Sequence, residues 1–140
     1  MLVLFELGDD RMELLEIINE LVVKNIDESI RFYTNYFNFE VIETDGNPIT
    51  WAKLKKDNCT IMLENYETVC KEIENYPAYV ATSNLIKFRY INKEEILKLY
   101  NKFLNDNIKL FMKLKETDYW SIELGVFDLD ENMIIVSSDK

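Results

Sequence analysis

The sequence contains no histidine. Without an imidazole, the chain cannot form a Ser-His-Asp triad, a Cys-His pair, a His-containing zinc site or an iron site of two histidines and one carboxylate. Glycine and proline are scarce too, with three and two residues. Flexible linkers depend on these residue types, so their scarcity predicts that most of the chain lies in regular helices and strands.

Cysteine is limited to Cys59 and Cys70, and no C-x-x-C pair is present. Two thiols without a disulfide framework indicate a reducing compartment and ordinary packing roles. The first eight residues carry neither a basic stretch nor a long apolar run, which argues against a signal peptide or a membrane span. We therefore expect a cytoplasmic protein with no membrane partner.

Basic residues are outnumbered, 16 against 26 acidic ones, and the net charge is −10. Such a field repels phosphate backbones, so we expect no nucleic-acid partner. It would favour a cationic ligand, although an acidic surface that only keeps the protein soluble is the commoner explanation. With 140 residues and 48% hydrophobic content, the chain can bury the core of one domain.

Two segments of the sequence are alike at an offset of 67 positions. The corresponding residues are Asn25, Glu28 and Tyr33 in the first segment and Asn92, Glu95 and Tyr100 in the second. Each segment opens with Asn-x-x-Glu, a variant of the helix capping box, and continues with apolar residues at helical spacing. The pattern predicts two amphipathic helices, at about residues 26–37 and 93–105.

Strand-like segments flank both helices in the same order. The predicted strands are residues 17–23, 39–44, 50–54 and 60–64 in the first half, and 85–90, 108–113, 119–127 and 133–137 in the second. The chain is therefore predicted to be an α+β protein of two βαβββ modules.

We divide the single domain, residues 1–140, into four parts. These are an N-terminal extension (1–16), a first module (17–64), a linker (65–83) with a helical turn near 68–74, and a second module (84–137). The extension could cover an edge strand or enlarge a dimer interface.

Motifs at both ends of this repeat resemble the glyoxalase/bleomycin-resistance/dioxygenase superfamily, also called the vicinal oxygen chelate superfamily. The pattern N-x-D-x-S-I-x-F-Y at 25–33, with F-x-F-E at 37–40, resembles its opening motif, and F-D-L-D-E-N-x-I at 127–134 resembles its closing motif. Leu129 and Glu131 replace the Pro and Gly of the closing motif, which predicts an altered turn. The resemblance covers about residues 17–137 and implies a curved mixed sheet with a concave cleft.

Metal-dependent members of that superfamily hold one divalent ion with four His or carboxylate side chains, two from each half. Carried over by register, the resemblance places these positions at four apolar residues: Ile18, Met62, Leu85 and Ile135. Only a shift of two residues reaches carboxylates, at Glu20 and Glu64. The resemblance therefore implies a metal-free member without a cofactor.

A two-residue turn at Asp57-Asn58 sets the register of the first module's hairpin. It pairs Trp51 with Glu64, and it turns toward the core the side chains of Ala52, Leu54, Ile61 and Leu63. Since Met62 marks the pocket side by the family pattern, Trp51 and Glu64 should line the cleft. The same alternation extends the cleft into both halves. The candidate ligand-binding residues are Trp51, Met62, Glu64, Lys87, Arg89, Tyr119 and Glu123, with Glu20, Val22 and Ser121 beside them; no catalytic residue is assigned.

This mixed cleft has two interpretations of equal weight. It could be a stacking platform with charged anchors for a flat or amphipathic molecule. It could equally be an internal set of ion pairs, with Trp51 at an interface and with Lys87 and Arg89 neutralising the glutamates at 20, 64 and 123.

Three functions are consistent with the sequence. The first is a binding protein of the bleomycin-resistance type, a homodimer that sequesters a small organic ligand, cationic or aromatic. The second is a lyase, isomerase or dioxygenase-like enzyme that uses a cleft glutamate as a metal-free general base. The third is an assembly protein whose cleft is filled. We favour the first and lean against an enzyme, because the family's metal ligands are missing.

Overall fold

The computed structural model describes residues 12–76 and 85–140. Most of the predicted N-terminal extension and the later part of the predicted linker lie outside these described residues. No helix in the described ranges is long and apolar enough to cross a membrane.

The order β-α-β-β-β occurs twice, which confirms the predicted α+β fold of two similar modules. The first module consists of β1 (Asn19–Val23), α1 (Ile26–Phe37), β2 (Glu40–Asp45), β3 (Trp51–Lys56) and β4 (Cys59–Asn65). A short helix, α2 (Tyr66–Glu72), follows it. The second module consists of β5 (Leu85–Arg89), α3 (Lys93–Asn105), β6 (Leu110–Glu116), β7 (Ser121–Phe127) and β8 (Met133–Asp139).

Each module forms a four-stranded mixed sheet, with strand orders β1-β4-β3-β2 and β5-β8-β7-β6. The first strand of each module pairs in parallel with the last, and the remaining pairs are antiparallel. The hairpin register predicted from the Asp57-Asn58 turn is confirmed, since Trp51 pairs with Glu64 and Leu54 with Ile61.

The two long helices begin where the sequence predicts, but their caps differ. The side chain of Asn25 accepts a hydrogen bond from the backbone N–H of Glu28 at 3.1 Å. Asn92 makes no side-chain cap hydrogen bond. Helix α3 carries Glu94 and Glu95 in its first turn, where negative charge stabilises the N-terminal end of the helix dipole.

One hydrophobic core spans both modules. The predicted core residues Ala52, Leu54, Ile61 and Leu63 are buried in it. Helix α1 joins the two halves, because the ring of Phe37 lies 4.9 Å from that of Phe88 and 6.0 Å from that of Phe103, measured between centroids. The halves therefore share their packing.

The closing motif is tied to the opening motif by a buried hydrogen bond. The hydroxyl of Tyr33 donates to Asp128 Oδ2 at 2.6 Å. Asp128 also accepts from the backbone N–H groups of Asp130 and Asn132 and from the amide of Asn132, which holds the turn. Glu131, at the family's glycine position, has a left-handed backbone with φ 64°. The residue there thus adopts the conformation that glycine favours.

Candidate functional site on the open sheet faces

Each sheet has a face turned toward the core and an opposite face, which we call the open face. In β3 and β4 the buried Ala52 and Leu63 alternate with Trp51 and Glu64, so the latter pair lies on the open face. Met62 lies on the same face by the same alternation. In the second sheet Phe88, Leu124 and Val136 belong to the core, which places three predicted residues on the open face: Lys87, Arg89 and Glu123.

The strand pairing does not bring the positions assigned to the family's metal ligands side by side. The resemblance placed the first and third positions at Ile18 and Leu85, but the residue beside Met62 is Glu20, and the residue beside Ile135 is Lys87. No turn fixes parallel pairing between distant strands, and each assigned position lies two residues before the one that pairs.

The four residues paired in this way supply one carboxyl, one thioether, one ammonium and one alkyl group. This donor set does not fit a divalent ion, because the ammonium of Lys87 would repel it and only Glu20 would neutralise it. Among the described residues, no group of three or more His, Cys, Asp or Glu side chains could hold a metal ion.

Glu123 is neutralised within the second module. Its side chain is 3% exposed, and its Oε2 lies 3.2 Å from Lys87 Nζ. The hydroxyl of Tyr119 donates to Oε1 at 2.8 Å, and that of Ser137 donates to Oε2 at 3.1 Å. Burial acts to raise the pKa of Glu123, but these hydrogen bonds and the charge of Lys87 lower it below the usual value. Glu123 therefore stays ionised beside its own counter-ion.

Arg89 forms its ion pair with Asp139 and not with a glutamate of the predicted cleft. Its guanidinium donates to Asp139 Oδ1 at 3.0 Å, and both side chains are exposed. Of the ion pairs that the second interpretation predicted, the Lys87–Glu123 pair is present, and Arg89 binds a residue that the sequence reasoning did not consider. Neither cation reaches Glu64.

Glu64 has the most unusual environment of the predicted site residues. It is 8% exposed, and its Oε1 atom is buried without a hydrogen-bond partner. The carboxyls of Glu72 and Glu20 lie within hydrogen-bond reach of it. An ionised carboxylate only accepts hydrogen bonds, so these neighbours can satisfy Glu64 only when one of the three carries a proton. Burial, followed by the contacts and charges of Glu72 and Glu20, raises the pKa of Glu64 to about 8.

Glu72 is a site residue that the sequence reasoning missed. It lies at the end of α2, within the predicted linker. Val69 is buried on the same helix, and residues three apart share one face of a helix, so Glu72 lies on the face that packs onto the sheet. The sequence alone gives no signal of this packing. Asn65 caps this helix by accepting from the backbone N–H of Glu67 at 2.9 Å.

Trp51 and Met62 are half-buried on the open face, so each offers accessible apolar surface. Trp51 lies directly across the β3–β4 pair from Glu64. An aromatic face next to a buried carboxyl can hold a group that is apolar on one side and a hydrogen-bond donor on the other. Among the described residues, no hydrogen bond or ion pair connects Trp51, Met62 or Glu64 with the Glu123 cluster.

A separate cavity of about 170 Å³ lies between α1 and α3, away from the open faces, with a lining that includes Asn35, Tyr36, Lys98 and Lys102. The ammonium of Lys102 already donates to the Asn35 carbonyl at 2.7 Å and lies 5.0 Å from the Tyr36 ring centroid. The Lys102 ammonium therefore already has partners within the protein, so it is a poor anchor for a ligand in this cavity.

Comparison with known proteins identifies the family. The family model for the glyoxalase/bleomycin resistance protein/dioxygenase superfamily matches residues 14–136. Because this match covers most of the chain, the chain belongs to that superfamily. A search among curated proteins found no match.

Solved structures of the same fold have low sequence identity to the chain. A glyoxalase/bleomycin resistance protein/dioxygenase family enzyme from Burkholderia phytofirmans PsJN is 18% identical with a TM-score of 0.76, over 88% of this chain and 97% of that one. Lactoylglutathione lyase from Agrobacterium tumefaciens is 15% identical with a TM-score of 0.71, over 91% and 96%. The fosfomycin resistance protein FosX from Listeria monocytogenes is 15% identical with a TM-score of 0.70, over 92% and 96%. At these identities the likeness shows the fold alone.

Proposed function

We propose that the protein binds a small organic ligand on the open face of the first sheet and does so without a metal ion. The observation that carries this proposal is the pairing of Trp51 with Glu64. A half-buried aromatic ring lies across from a buried carboxyl whose Oε1 has no partner in the protein. Such an arrangement is costly to the protein by itself, and a bound molecule that covers the ring and donates to the carboxyl would offset the cost.

The donor chemistry supports binding over metal-dependent catalysis. Superfamily relatives include a lyase and a resistance protein, but the strand positions next to Met62 and Ile135 supply only one carboxylate and also an ammonium. Binding by the bleomycin-resistance type of mechanism needs no metal, because the protein acts by sequestering the ligand.

A second candidate is a metal-free enzyme in which Glu64 is the general base. The observation in its favour is the pKa of about 8 that burial and the neighbouring carboxyls give to Glu64. General bases work best with a pKa near the working pH. This candidate uses the same face and the same Trp51 platform, and turnover of a bound compound would distinguish it from sequestration.

We also propose that the protein is a homodimer in the cytoplasm. Strand β2 is a sheet edge, and Val41 and Ile42 on it are exposed, which suits pairing with a second copy. Cys59 and Cys70 are both free and exposed, which suits a reducing compartment.

Replacing Trp51 by alanine should weaken ligand binding by about 1–3 kcal/mol, the usual loss for a large aromatic anchor. The fold should persist, because the Trp51 side chain points away from the core. Thermal melts with and without metal-free bleomycin or benzamidine would measure the ligand-induced shift of the wild type and the variant.

The matched control is Trp120→Ala, which removes the other tryptophan, 77% exposed and outside the proposed site. It should keep the wild-type shift. An equal shift for Trp51→Ala and wild type would remove the platform from the binding site, and no shift in the wild type would count against this ligand class.

A further inference from the structure

The two modules carry opposite charges at one equivalent position. Glu20 and Lys87 are 67 positions apart, the offset of the sequence repeat. Their strand neighbours are equivalent as well, since Glu20 pairs with Met62 between β1 and β4, and Lys87 pairs with Ile135 between β5 and β8. The first module therefore has a carboxyl where the second has an ammonium.

The second module shows what such an ammonium does. Lys87 Nζ lies 3.2 Å from Glu123 Oε2 and 5.7 Å from the ring centroid of Tyr119. A carboxylate and an aromatic ring thus share one cation on the open face.

The first module also has a carboxyl and a ring on its open face but lacks the cation. The two groups do not lie at equivalent positions, since the register places Glu64 where the second module has Ser137 and Trp51 where it has Glu123. Glu64 and Trp51 are paired residues on its open face. The charges that act on Glu64 are those of Glu20 from β1 and Glu72 from α2, and both are acidic. On β3, Lys53 shares the open face with Trp51, but its charge is not among those that shift Glu64.

We propose that the first module takes the ammonium or amidinium group of its ligand in the place that the Lys87 ammonium has in the second module, and that this cation displaces a proton from Glu64 into solvent. The inference rests on the proposed function, because the ligand lies on the same face, and it adds the chemical class of the ligand. The carboxyl of Glu64 is the acceptor for this group, and its Oε1 is buried without a hydrogen-bond partner in the protein.

Exchange of a proton for a cation makes binding depend on pH in one direction. With a pKa of about 8, Glu64 is protonated in the free protein at neutral pH, whereas the cation needs it ionised. Affinity should therefore rise by about tenfold per pH unit below pH 8 and level off above it, a gain of roughly 100-fold between pH 6 and pH 9.

Isothermal titration calorimetry with benzamidine tests this exchange. Benzamidine is flat and stays charged over this pH range, and benzamide is its neutral isostere. Titrations in two buffers with different ionisation enthalpies should show about one proton released per benzamidine bound near pH 6 and almost none near pH 9. Benzamide should bind more weakly at every pH, and its affinity should not change with pH.

Glutamine variants of Glu64, Glu13 and Glu72 separate the cation site from a general effect of net charge. Glu64→Gln should abolish the proton release and most of the benzamidine affinity. Glu13→Gln, at an exposed position, removes one negative charge, as Glu64→Gln does above pH 8, and should bind as the wild type does. Glu72→Gln keeps the acceptor but removes one repulsive neighbour, so its pH profile should move to lower pH with binding retained.

The binding measurements distinguish failure of the cation site from failure of the proposed binding function. Equal, pH-independent binding of benzamidine and benzamide, weakened by Trp51→Ala, would overturn the cation site and leave the binding function standing. Benzamidine binding without proton release near pH 6, or unchanged by Glu64→Gln, would also overturn it. If neither Trp51→Ala nor Glu64→Gln weakens ligand binding, both proposals are contradicted.

Discussion

Replacing Phe37 by alanine should lower the free energy of unfolding by about 3–5 kcal/mol, the usual loss for a buried phenylalanine. Phe37 is 1% exposed, and its ring contacts Phe88 and Phe103 of the second module as well as Phe32 on its own helix. The variant would leave a cavity between the two modules, where neither sheet can move in to fill it without losing its own packing.

Urea unfolding measures this loss, and Phe111→Ala is the matched control. Phe111 is half-buried on β6, where its ring covers Gly125, so the same change in side chain should destabilise less. Two single-tryptophan variants, one that retains Trp51 and one that retains Trp120, report by fluorescence on the unfolding of the first and the second module separately. Both reporters should give one coincident transition. Separate transitions, or equal losses at positions 37 and 111, would contradict a core shared through α1.

Replacing Lys87 by methionine should lower the free energy of unfolding by about 2–3 kcal/mol. The variant leaves the carboxylate of Glu123, with a side chain 3% exposed, without its cation. Removing one partner of a buried pair costs about 3–5 kcal/mol, and the 42% exposure of the Lys87 side chain reduces that figure.

The double variant Lys87→Met/Glu123→Gln should recover most of the loss, because no buried charge remains. The pKa of Glu123 is lowered in the native protein, so its ion pair stabilises the fold above the pKa of a free glutamate and ceases to do so as pH falls. The penalty of the single variant should accordingly shrink in acid. Lys98→Met, at an exposed lysine, is the control. A Lys87→Met variant as stable as Lys98→Met at neutral pH would contradict a stabilising role for the Lys87–Glu123 ion pair.

The sequence predicts most of the fold because the informative signals are local. The Asp57-Asn58 turn fixes the hairpin register, and the repeat of Asn, Glu and Tyr at 67 positions places both long helices. The pairing of β1 with β4 is not local, and no turn sets its register. For that reason the sequence alone does not show that Glu20 is the residue beside Met62.

The site could be predicted only in part for a similar reason. Strand alternation gives the face of Trp51, Glu64 and Glu123, but it does not decide which carboxyl receives a cation. Lys87 lies two strands away from Glu123 and reaches it across β8, a contact that depends on side-chain length and sheet twist. Glu72 joins the site only because α2 packs back onto β1 and β4, and no short-range pattern specifies that packing.

The proposed cation site requires that Glu64 is a buried carboxyl without a cation of its own. NMR titration of the side-chain carboxyl carbons of glutamate, with Glu64→Gln used for assignment, measures this directly. We predict that Glu64 in the ligand-free protein titrates near pH 8, while Glu123 titrates below the usual range. A midpoint for Glu64 at the ordinary glutamate value of about 4.3 would contradict it.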